Sequence, residues 1–459
     1  MDQTTNPPDD VLPVSNVDGI AWPALPAPNI GTLLSLAYQL ERSQWWSTER
    51  LTALQLLQLE KLLAHAKNTV PFYADRLKHM EVRPGEMRMD DLRQIPLLRR
   101  SDVQNSADAL KSGAVPVSHL PFHKISTSGS TGRPLNTLGT IVTGMFTRAL
   151  ALRWYSGLNR DLNCTMADVG LPLASGRPGR RRWVPGFSTG PWLTLGANEP
   201  LERQLRWLSA ENPHYIRTFP SNLKALLESC ERTGVRFPNL RDVTTWGEVL
   251  DPGLRDYCSQ VWGVPVFNSY GANEFGYIAL QCPDTSDLHI QSETLIVEVL
   301  DDQGEPADVG SIGRMVVTDL HNFAMPLIRY ELGDYAVMGS DCPCGRGLPI
   351  IERVLGRSRN MFVLPSGDRF WPIFSQVLGE LQEVIPRLVQ AQLVQQSRHE
   401  ITARMVVSHP LDPSEEAKIT SALAEAMRGA FKIRPEYVDE IPRSAGGKFL
   451  ETICEIEEP

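Results

Sequence analysis

The sequence predicts a multi-domain α/β protein, with a large N-terminal domain of α/β sheets plus a β element and a small C-terminal α/β domain. Its 459 residues are too many for one ordinary hydrophobic core, so two or more domains are expected. Between residues 115 and 355, short apolar runs alternate with helical patterns, which is typical of an α/β sheet. From residue 356 onward a new strand–helix–strand pattern begins, which indicates a second, smaller core.

The N-terminal part of the chain divides into a tail and a helical stretch. Residues 1–30 carry many prolines and no apolar period, so we expect a poorly ordered tail. Between residues 31 and 67 leucines recur at helical spacing, which predicts a packing helix. The predicted division is therefore a tail over 1–30, a large domain over 31–355 and a small domain over 356–459.

The middle of the chain contains the predicted sheet. The runs "TMADVGL", "TTWGEVL" and "GVPVFNSYG" predict strands. The run "SNLKALLESCERTG" predicts a helix with Ser221 as its N-cap and Gly234 as its end. In "TLIVEVLDDQGEPADVGSIGRMVVTDL" two β-rich runs flank a turn-rich stretch, which predicts an antiparallel β element.

The composition narrows the function classes. The chain is 42% hydrophobic and 22% charged, as in soluble globular proteins, and its net charge of −9 argues against nucleic-acid binding, which needs a basic face. It lacks an uninterrupted apolar stretch of about 18 residues and a signal-peptide pattern, so no membrane association and a cytoplasmic location are expected. Seven cysteines, an odd number, favour metal-bound or free thiols over a disulfide framework.

A run rich in serine, threonine and glycine, "STSGSTGRP", extends from Ser126 to Pro134. By composition alone such a run is typical of a linker or turn. The alternative is an anion site, because glycines let backbone N–H groups converge and hydroxyl groups add donors. The preceding "FHKI" predicts a strand and the following "GMFTRALALRWYSGL" a helix, whose N-terminus would favour an anion. The run lacks the GxxxxGK[ST] pattern of a Walker P-loop.

Five later segments give this loop a context. They are "TTWGEVL" with Gly247 and Glu248, "NSYGANEFG" with Tyr270, Gly271 and Glu274, "RYELGD" ending in Asp334, "LGRSRN" with Arg357 and Asn360, and "PRSAGGKFLETI" with Lys448. Together with the loop they resemble, in order, the signature motifs of the adenylate-forming superfamily, which contains the acyl-CoA synthetases. The segments "LLQLEKLLAHAKNTVPFYADRLK", "IPLLRRSDV" and "CPCGRGLPIIERVLGR" are similar to its phenylacetate-CoA ligase branch, which includes capsule-biosynthesis-type adenylating proteins.

The resemblance implies a reaction that joins a carboxylate to the α-phosphate of ATP, with roles for the motif residues. The loop is implied to hold the phosphates through Ser128, Gly129, Ser130, Thr131 and Gly132. Glu274 is implied to bind Mg²⁺, and Lys448 to stabilise the charge that builds on the reacting groups; these two are the catalytic candidates. The other nucleotide-binding candidates are Gly247, Glu248, Tyr270, Gly271, Asp334 and Arg357.

The resemblance also implies an acid pocket between the loop and the Tyr270 segment. The candidate lining residues are Phe219, Trp246, Tyr270 and Gly271, with Trp183 as a weaker candidate. In the superfamily the small domain rotates about a hinge, here Asn360, before a thiol attacks the acyl adenylate. Leu135, Asn273 and Leu332 stand where many members have polar residues, which puts the affinity for ATP in question.

A metal site is predicted from four residues, Cys282, His289, Cys342 and Cys344. The run "CPCGRG" contains a tight turn that lets two thiolates face one ion, and Cys₃His is a common structural zinc set. The alternative is a group of buried free cysteines with an incidental histidine.

The leading interpretation is an ATP-dependent, AMP-forming ligase that activates an aryl or related carboxylic acid and passes it to CoA. One alternative keeps the adenylate step but transfers the acyl group to a carrier protein or an amine. Another is a non-catalytic family member that binds nucleotide. ATP, Mg²⁺, CoA and a structural Zn²⁺ are the expected cofactors, and a homodimer is left open.

Overall fold

The computed structural model describes residues 13–81, 83, 85–126, 135–171, 178–357, 360–372, 374–444 and 447–456. Within these ranges the α-helices are α1 (Pro28–Ser43), α2 (Thr48–Thr69), α3 (Pro71–Arg76), α4 (Met89–Arg93), α5 (Arg100–Asn105), α6 (Ile141–Gly157), α7 (Leu201–Glu211), α8 (Pro220–Thr233), α9 (Pro252–Trp262), α10 (Phe374–Val384) and α11 (Pro413–Ala426).

The first fourteen strands belong to the N-terminal part of the chain. They are β1 (Phe122–Ser126), β2 (Asn136–Thr140), β3 (Met166–Gly170), β4 (Gly179–Arg182), β5 (Pro191–Gly196), β6 (Tyr215–Thr218), β7 (Asp242–Trp246), β8 (Val266–Ala272), β9 (Gly276–Gln281), β10 (Leu288–Ile290), β11 (Leu295–Leu300), β12 (Ile312–Asp319), β13 (Tyr330–Met338) and β14 (Ile350–Arg357). The remaining strands are β15 (Phe362–Val363), β16 (Arg369–Phe370), β17 (Leu388–Gln395), β18 (Glu400–Val407), β19 (Lys432–Tyr437) and β20 (Thr452–Cys454).

A 12-stranded mixed sheet dominates the N-terminal part, in the order β11-β12-β13-β14-β10-β9-β8-β7-β6-β3-β5-β4. Five neighbouring strands run parallel, namely β5, β3, β6, β7 and β8. On the other side of β8, each strand pairs antiparallel with the next one in the order, through β9, β10, β14, β13 and β12 to β11. The α/β sheet, its three quoted strands and the antiparallel β element are therefore confirmed, and the mixed α/β fold class with them.

The glycine-rich run has a different setting from the one predicted. The strand predicted from "FHKI" is β1, but β1 pairs antiparallel with β2 from Phe122–Thr140 to Ser126–Asn136. Residues 127–134 thus connect two strands of a hairpin, and α6 begins only after β2. The strand-to-helix loop was a wrong prediction because "NTLGT" was not recognised as a strand. The loop itself, including Ser128, Gly129, Ser130, Thr131 and Gly132, lies outside the described residues.

Helix boundaries follow local chemistry. At α2 the side chain of Ser47 accepts a hydrogen bond from the Arg50 N–H, and at α11 the Asp412 carboxylate accepts two from the first turn. The predicted N-cap Ser221 was wrong: α8 begins at Pro220, which needs no N–H partner in the first turn, and Phe219 is the N-cap residue. Its predicted end at Gly234 is confirmed by a left-handed C-cap with φ of +72°.

The C-terminal part has its own sheet and core. Its four strands are ordered β19-β18-β17-β20, and α10 and α11 pack against each other over that sheet. Buried apolar residues from Phe362 to Ile433 form one cluster, separate from the clusters of the N-terminal part. The domain boundaries predicted from the sequence are compatible with these cores and stay a prediction.

The N-terminal segment is partly described, and it contacts the large sheet region. The predicted tail over 1–30 is described only from residue 13, where the Val14 N–H donates to the Gly186 carbonyl, and α1 already begins at Pro28. Among the described helices, none combines the length and the apolar character that crossing a membrane requires.

Candidate functional site

The candidate active site lies at the carboxyl ends of the parallel strands β6, β7 and β8. Phe219 follows β6, Trp246 ends β7 and is followed by Gly247 and Glu248, and Glu274 lies in the turn after β8. Ligand sites of α/β sheets form at this edge, because the loops that leave it converge in a crevice.

Lys448 reaches this edge from the C-terminal part. Gly247 has φ of +79°, and a β-carbon there would lie 3.2 Å from Phe219 Cε1, 3.2 Å from Lys448 Cε and 3.4 Å from Lys448 Nζ. Glycine at this position therefore allows the backbone turn and leaves the space that the lysine occupies. The structure brings together two residues that the sequence could link only through motif order.

Tyr270, Asp334 and Arg357 form a hydrogen-bonded group beside this edge. Asp334 on β13 and Arg357 on β14 are cross-strand neighbours, and Arg357 Nε lies 3.1 Å from Asp334 Oδ1. The Tyr270 hydroxyl donates to Asp334 Oδ2 at 2.6 Å. Burial, and next the Asp334 charge, raise the pKa of Tyr270 well above its usual value, so the phenol stays a donor. Each carboxylate oxygen retains a further acceptor direction for a ligand hydroxyl.

Glu274 is a buried carboxylate among positive charges. Its side chain is 8% exposed, and burial raises its pKa, while the charges of Arg357 and Arg100 act in the opposite direction. A buried carboxylate of raised pKa is stabilised in its charged form by a cation. These properties fit a magnesium ligand, which the sequence assigned to this residue.

Gly271 makes the close approach of β8 and β9 possible. A β-carbon on Gly271 would lie 2.3 Å from the Gly276 carbonyl oxygen, so no larger residue fits without moving the backbone. The register of the β8–β9 pair shifts between Tyr270 and Gly271. The glycine thus sets the direction of the turn that presents Glu274.

Glu248, a nucleotide-binding candidate, has a carboxylate that is already engaged. Ser221 donates to it twice, from N–H to Oε2 at 2.9 Å and from the hydroxyl to Oε1 at 3.0 Å. The Phe449 N–H donates to Oε1 at 2.8 Å. Burial raises the pKa of Glu248, and the hydrogen bonds from Ser221 and Phe449 oppose that rise. The partners of Glu248 are therefore protein groups, one of them next to Lys448.

The aromatic candidates separate into two groups. The Phe219 and Trp246 rings lie at the strand edge with centroids 4.7 Å apart. Trp183 instead packs in a core cluster against Tyr155, Trp192 and Tyr215, with ring centroids 5.4, 5.8 and 5.5 Å away. Trp183 is thus part of the core just after β4, and Phe219 is also fully buried, in a second apolar cluster. The lining of the acid pocket stays a prediction.

An ion pair beside Trp246 was not predicted from the sequence. Arg217 on β6 lies 2.9 Å from Asp168 Oδ2 on β3, and its guanidinium carbon stands 4.1 Å from the Trp246 ring centroid. The Asp168 Oδ1 atom is buried without a hydrogen-bond partner. An arginine inside the short strand "YIRT", between buried neighbours, was the available signal.

The structure locates the three residues that differ from the superfamily motifs, and the predicted hinge residue. Leu135 and Leu332 are buried in the main apolar cluster, at 0% and 6% exposure, so they replace polar contacts by packing. Asn273 lies in the turn beside Glu274, and Asn360 begins the segment after β14. Ser358 and Arg359, between Arg357 and Asn360, lie outside the described residues.

The predicted metal ligands Cys282, His289, Cys342 and Cys344 converge, with all their donor atoms within 4.8 Å of one another. The Cys342 and Cys282 sulfurs are 3.8 Å apart, and Cys344 Sγ lies 3.3 Å from His289 Nε2. Ligand bonds of about 2.3 Å for sulfur and 2.0 Å for nitrogen at tetrahedral angles require separations of about this size. The four donor atoms are therefore close enough to share one ion, and the choice between a zinc site and buried free cysteines with an incidental histidine stays a prediction.

Neighbouring backbone groups contact three of these four residues. His289 Nδ1 lies 3.1 Å from the Leu348 carbonyl, which fixes Nε2 toward the sulfurs when Nδ1 carries the proton. The N–H groups of Asp284 and Arg346 each point at a sulfur two residues earlier, at 3.4 Å. The cluster joins the β9–β10 turn to the β13–β14 connection, at the opposite end of β14 from Arg357.

Comparisons with known proteins agree with this geometry. Residues 372–455 match the family model described as the CapK C-terminal domain. A phenylacetate-coenzyme A ligase of Thermus thermophilus is 27% identical over 362 residues, which cover 74% of this chain and 77% of that protein. Protein CapK of Staphylococcus aureus is 20% identical over 424 residues, which cover 86% of this chain and 87% of that protein.

A solved structure supports the fold. The crystal structure of 2-hydroxyisobutyryl-CoA ligase, in the postadenylation state with 2-HIB-AMP, matches with a TM-score of 0.70 at 19% identity, covering 87% of this chain and 89% of that one. The ordered motifs, the shared architecture and the relatives found over most of the chain agree with one another. Over most of its length the chain is similar to the phenylacetate-CoA ligases and to CapK, and these findings support the adenylate-forming superfamily that the motifs resemble.

Proposed function

We propose that this chain is an ATP-dependent, AMP-forming acid–thiol ligase, which activates a carboxylic acid as its acyl adenylate and transfers the acyl group to CoA. The observation that carries the proposal is the convergence of Lys448, Gly247, Glu274 and the Asp334–Arg357 pair at one sheet edge. The similarity to phenylacetate-CoA ligases over three quarters of the chain supports CoA as the acceptor.

In the first half-reaction a carboxylate oxygen of the acid attacks the α-phosphorus of ATP, and pyrophosphate leaves. Charge builds on the phosphorus oxygens, and the Lys448 ammonium is the group that neutralises it. Asp334 accepts hydrogen bonds from the ribose hydroxyls, and Arg357 holds its carboxylate in place. A magnesium ion bound by Glu274 would neutralise the phosphates during this step.

In the second half-reaction the CoA sulfur attacks the acyl carbon, the bond to the phosphate oxygen breaks, and AMP leaves. This step needs a thiol beside the acyl carbon, on a side that we expect the Lys448 segment to vacate. Rotation about Asn360 is the expected way to clear that side. The acid pocket is assigned to Phe219, Trp246, Tyr270 and Gly271, with the Arg217–Asp168 pair beneath it.

We also assign a structural zinc ion to Cys282, His289, Cys342 and Cys344. The donor set and the spacing of its atoms fit tetrahedral Zn²⁺, and the His289–Leu348 contact supplies the outer hydrogen bond that zinc-binding histidines usually make. All four coordination positions are filled by protein, so the ion would hold loops together and take no part in the reaction.

The test is ATP–pyrophosphate exchange across a panel of aryl and aliphatic acids, followed by the active acid with CoA. We expect exchange with at least one acid and thioester formation with that acid. Exchange without thioester would favour a carrier protein or an amine as acceptor. No exchange with any acid would contradict the enzyme and favour a nucleotide-binding protein. The cytoplasmic location stays a prediction.

A further inference from the structure

Glu248 connects the two parts of the chain immediately beside the candidate catalytic lysine. Lys448 lies against Gly247, and the next residue on each side forms a hydrogen bond, from the Phe449 N–H to Glu248 Oε1 at 2.8 Å. The charge-assisted hydrogen bond between Phe449 and Glu248 thus holds the contact between Lys448 and Gly247 in place.

Ser221 and Arg443 complete this connection. Ser221 gives Glu248 two hydrogen bonds from the first turn of α8, which fixes both carboxylate oxygens. Arg443 of the C-terminal part donates to the Ser221 hydroxyl at 2.7 Å and to the Gly447 carbonyl at 3.2 Å. Burial lowers the pKa of Arg443, and the Glu248 charge opposes that change. The arginine therefore bridges the large part and the loop that carries Lys448.

We propose that Glu248 is a positioning residue for adenylation: its carboxylate fastens the Gly447–Phe449 segment to the sheet edge and so holds Lys448 in place. Its expected effect on the adenylation rate rests on the proposed function. It gives Glu248 a role that differs from nucleotide contact.

The Glu248 carboxylate is held by several hydrogen bonds that a substitution would remove. Three N–H or O–H groups donate to its two oxygens, and two of those three donors come from a single helix turn of the large part. Removing the carboxylate leaves the Phe449 N–H without this acceptor and removes the anion that faces Arg443. Hydrogen bonds to a charged group are among the stronger ones in proteins, so the segment should detach more often.

The first experiment measures docking in the free protein. Amide hydrogen exchange of the peptide containing Phe449 is compared in wild type, Glu248→Ala, Glu248→Gln and Glu202→Gln. Glu202 is an exposed carboxylate on α7 and serves as the matched control. We expect exchange about tenfold to a hundredfold faster in Glu248→Ala, an intermediate rate in Glu248→Gln, and the wild-type rate in the control.

The second experiment separates positioning from nucleotide binding. In ATP–pyrophosphate exchange, we expect kcat of Glu248→Ala to fall about tenfold to a hundredfold while KM for ATP stays near the wild-type value. Arg443→Met, which acts from the other side of the same contact, should reproduce the fall. Thioester formation from supplied acyl adenylate and CoA should keep its rate, because Lys448 must leave Gly247 for that step.

The outcomes distinguish the two proposals. A raised KM for ATP with unchanged kcat would make Glu248 a nucleotide contact and overturn the inference. Wild-type hydrogen exchange at Phe449 in Glu248→Ala would overturn it as well, and this readout needs no activity. Absence of pyrophosphate exchange in the wild type would instead contradict the proposed function, and the amide exchange would still decide the docking role.

Discussion

Lys448 and Gly247 are in contact, and a β-carbon on the glycine would stand 3.4 Å from the lysine Nζ. Because this contact places an ammonium at the edge where adenylate chemistry is proposed, we expect Lys448→Ala to lower pyrophosphate exchange by roughly 10²–10³-fold without unfolding the protein. Lys432→Ala, which removes an exposed lysine from β19, is the control and should keep the wild-type rate. Unchanged exchange in Lys448→Ala would contradict the assignment.

Gly247→Ala should lower the adenylation rate through the same contact. The added methyl group meets Lys448 and Phe219 and forces a positive φ on a non-glycine residue, which costs about 1–2 kcal/mol. Gly263→Ala is a matched control, because Gly263 has φ of +73° and open space around the missing β-carbon. Both variants should lose stability in urea unfolding, but only Gly247→Ala should lose pyrophosphate exchange. Equal activity in the two variants would show that the Lys448 contact is irrelevant.

Trp246→Ala should affect the acid more than the nucleotide. Trp246 packs between Phe219 and the Arg217 guanidinium at the end of β7, so its ring forms a wall of the proposed acid pocket. Aromatic contacts contribute about 0.5–1.5 kcal/mol, which corresponds to a rise of up to about tenfold in KM for the acid. Initial rates measured against each substrate in turn check this. A rise confined to KM for ATP would move Trp246 to the nucleotide site.

Asp319→Asn should stabilise the protein at neutral and alkaline pH. Burial raises the pKa of Asp319 from 3.8 to about 7, so between these values the folded state binds more protons and stability falls as pH rises. Nearby, burial lowers the pKa of His321 from 6.5 to about 4, which makes stability rise with pH over nearly the same range. The two effects oppose each other in the wild type.

The difference between variant and wild type isolates Asp319, because His321 is present in both. In urea unfolding we expect no gain for Asp319→Asn near pH 4 and a gain of up to about 4 kcal/mol above pH 7. A gain that is the same at both pH values would show that Asp319 does not titrate between them.

Cys344→Ser should remove the bound metal. Protein purified without added zinc should contain about one zinc ion per chain by elemental analysis, and the variant should contain almost none. The variant should also lose more than about 2 kcal/mol of unfolding free energy, because a structural ion stabilises only the folded state. Cys454→Ser removes a thiol outside the cluster and should retain zinc. Zinc-free wild-type protein of unchanged stability would contradict the site.

The strands and the Cys₃His cluster could be predicted because their signals are local. β3, β7 and β8 show compact apolar runs, and "CPCGRG" places two thiols in one turn. The hairpin of β1 and β2 was missed, since "NTLGT" contains glycine and asparagine, and only its pairing with β1 makes it a strand. Its last four residues are buried, and Gly139 lies against His123 and Ile125 of β1.

The partners of Glu248 and Arg217 could not be predicted, because they depend on contacts between distant segments. Ser221 has the residue type of an N-cap, but the helix begins at Pro220, two residues earlier than an N-cap at Ser221 would give. The serine therefore lies in the first turn, where it donates to Glu248. Asp168 and Arg217 are neighbours only because β3 and β6 are adjacent in the sheet. Motif order could name Lys448 and Gly247 but gave no contact between them.

β14 runs from the Cys₃His cluster to the Asp334–Arg357 pair. One end adjoins the Cys₃His cluster, and the other carries Arg357, three residues before the predicted hinge Asn360. β14 pairs with β10 only at its start, through Ile350 and Ile351, and with β13 from Ile351 to Arg357. We therefore expect the proposed rotation of the C-terminal part to leave β14 in place up to Arg357. If the four-residue cluster holds zinc as proposed, protein without zinc should lose support at the start of β14 and hold the C-terminal part less rigidly.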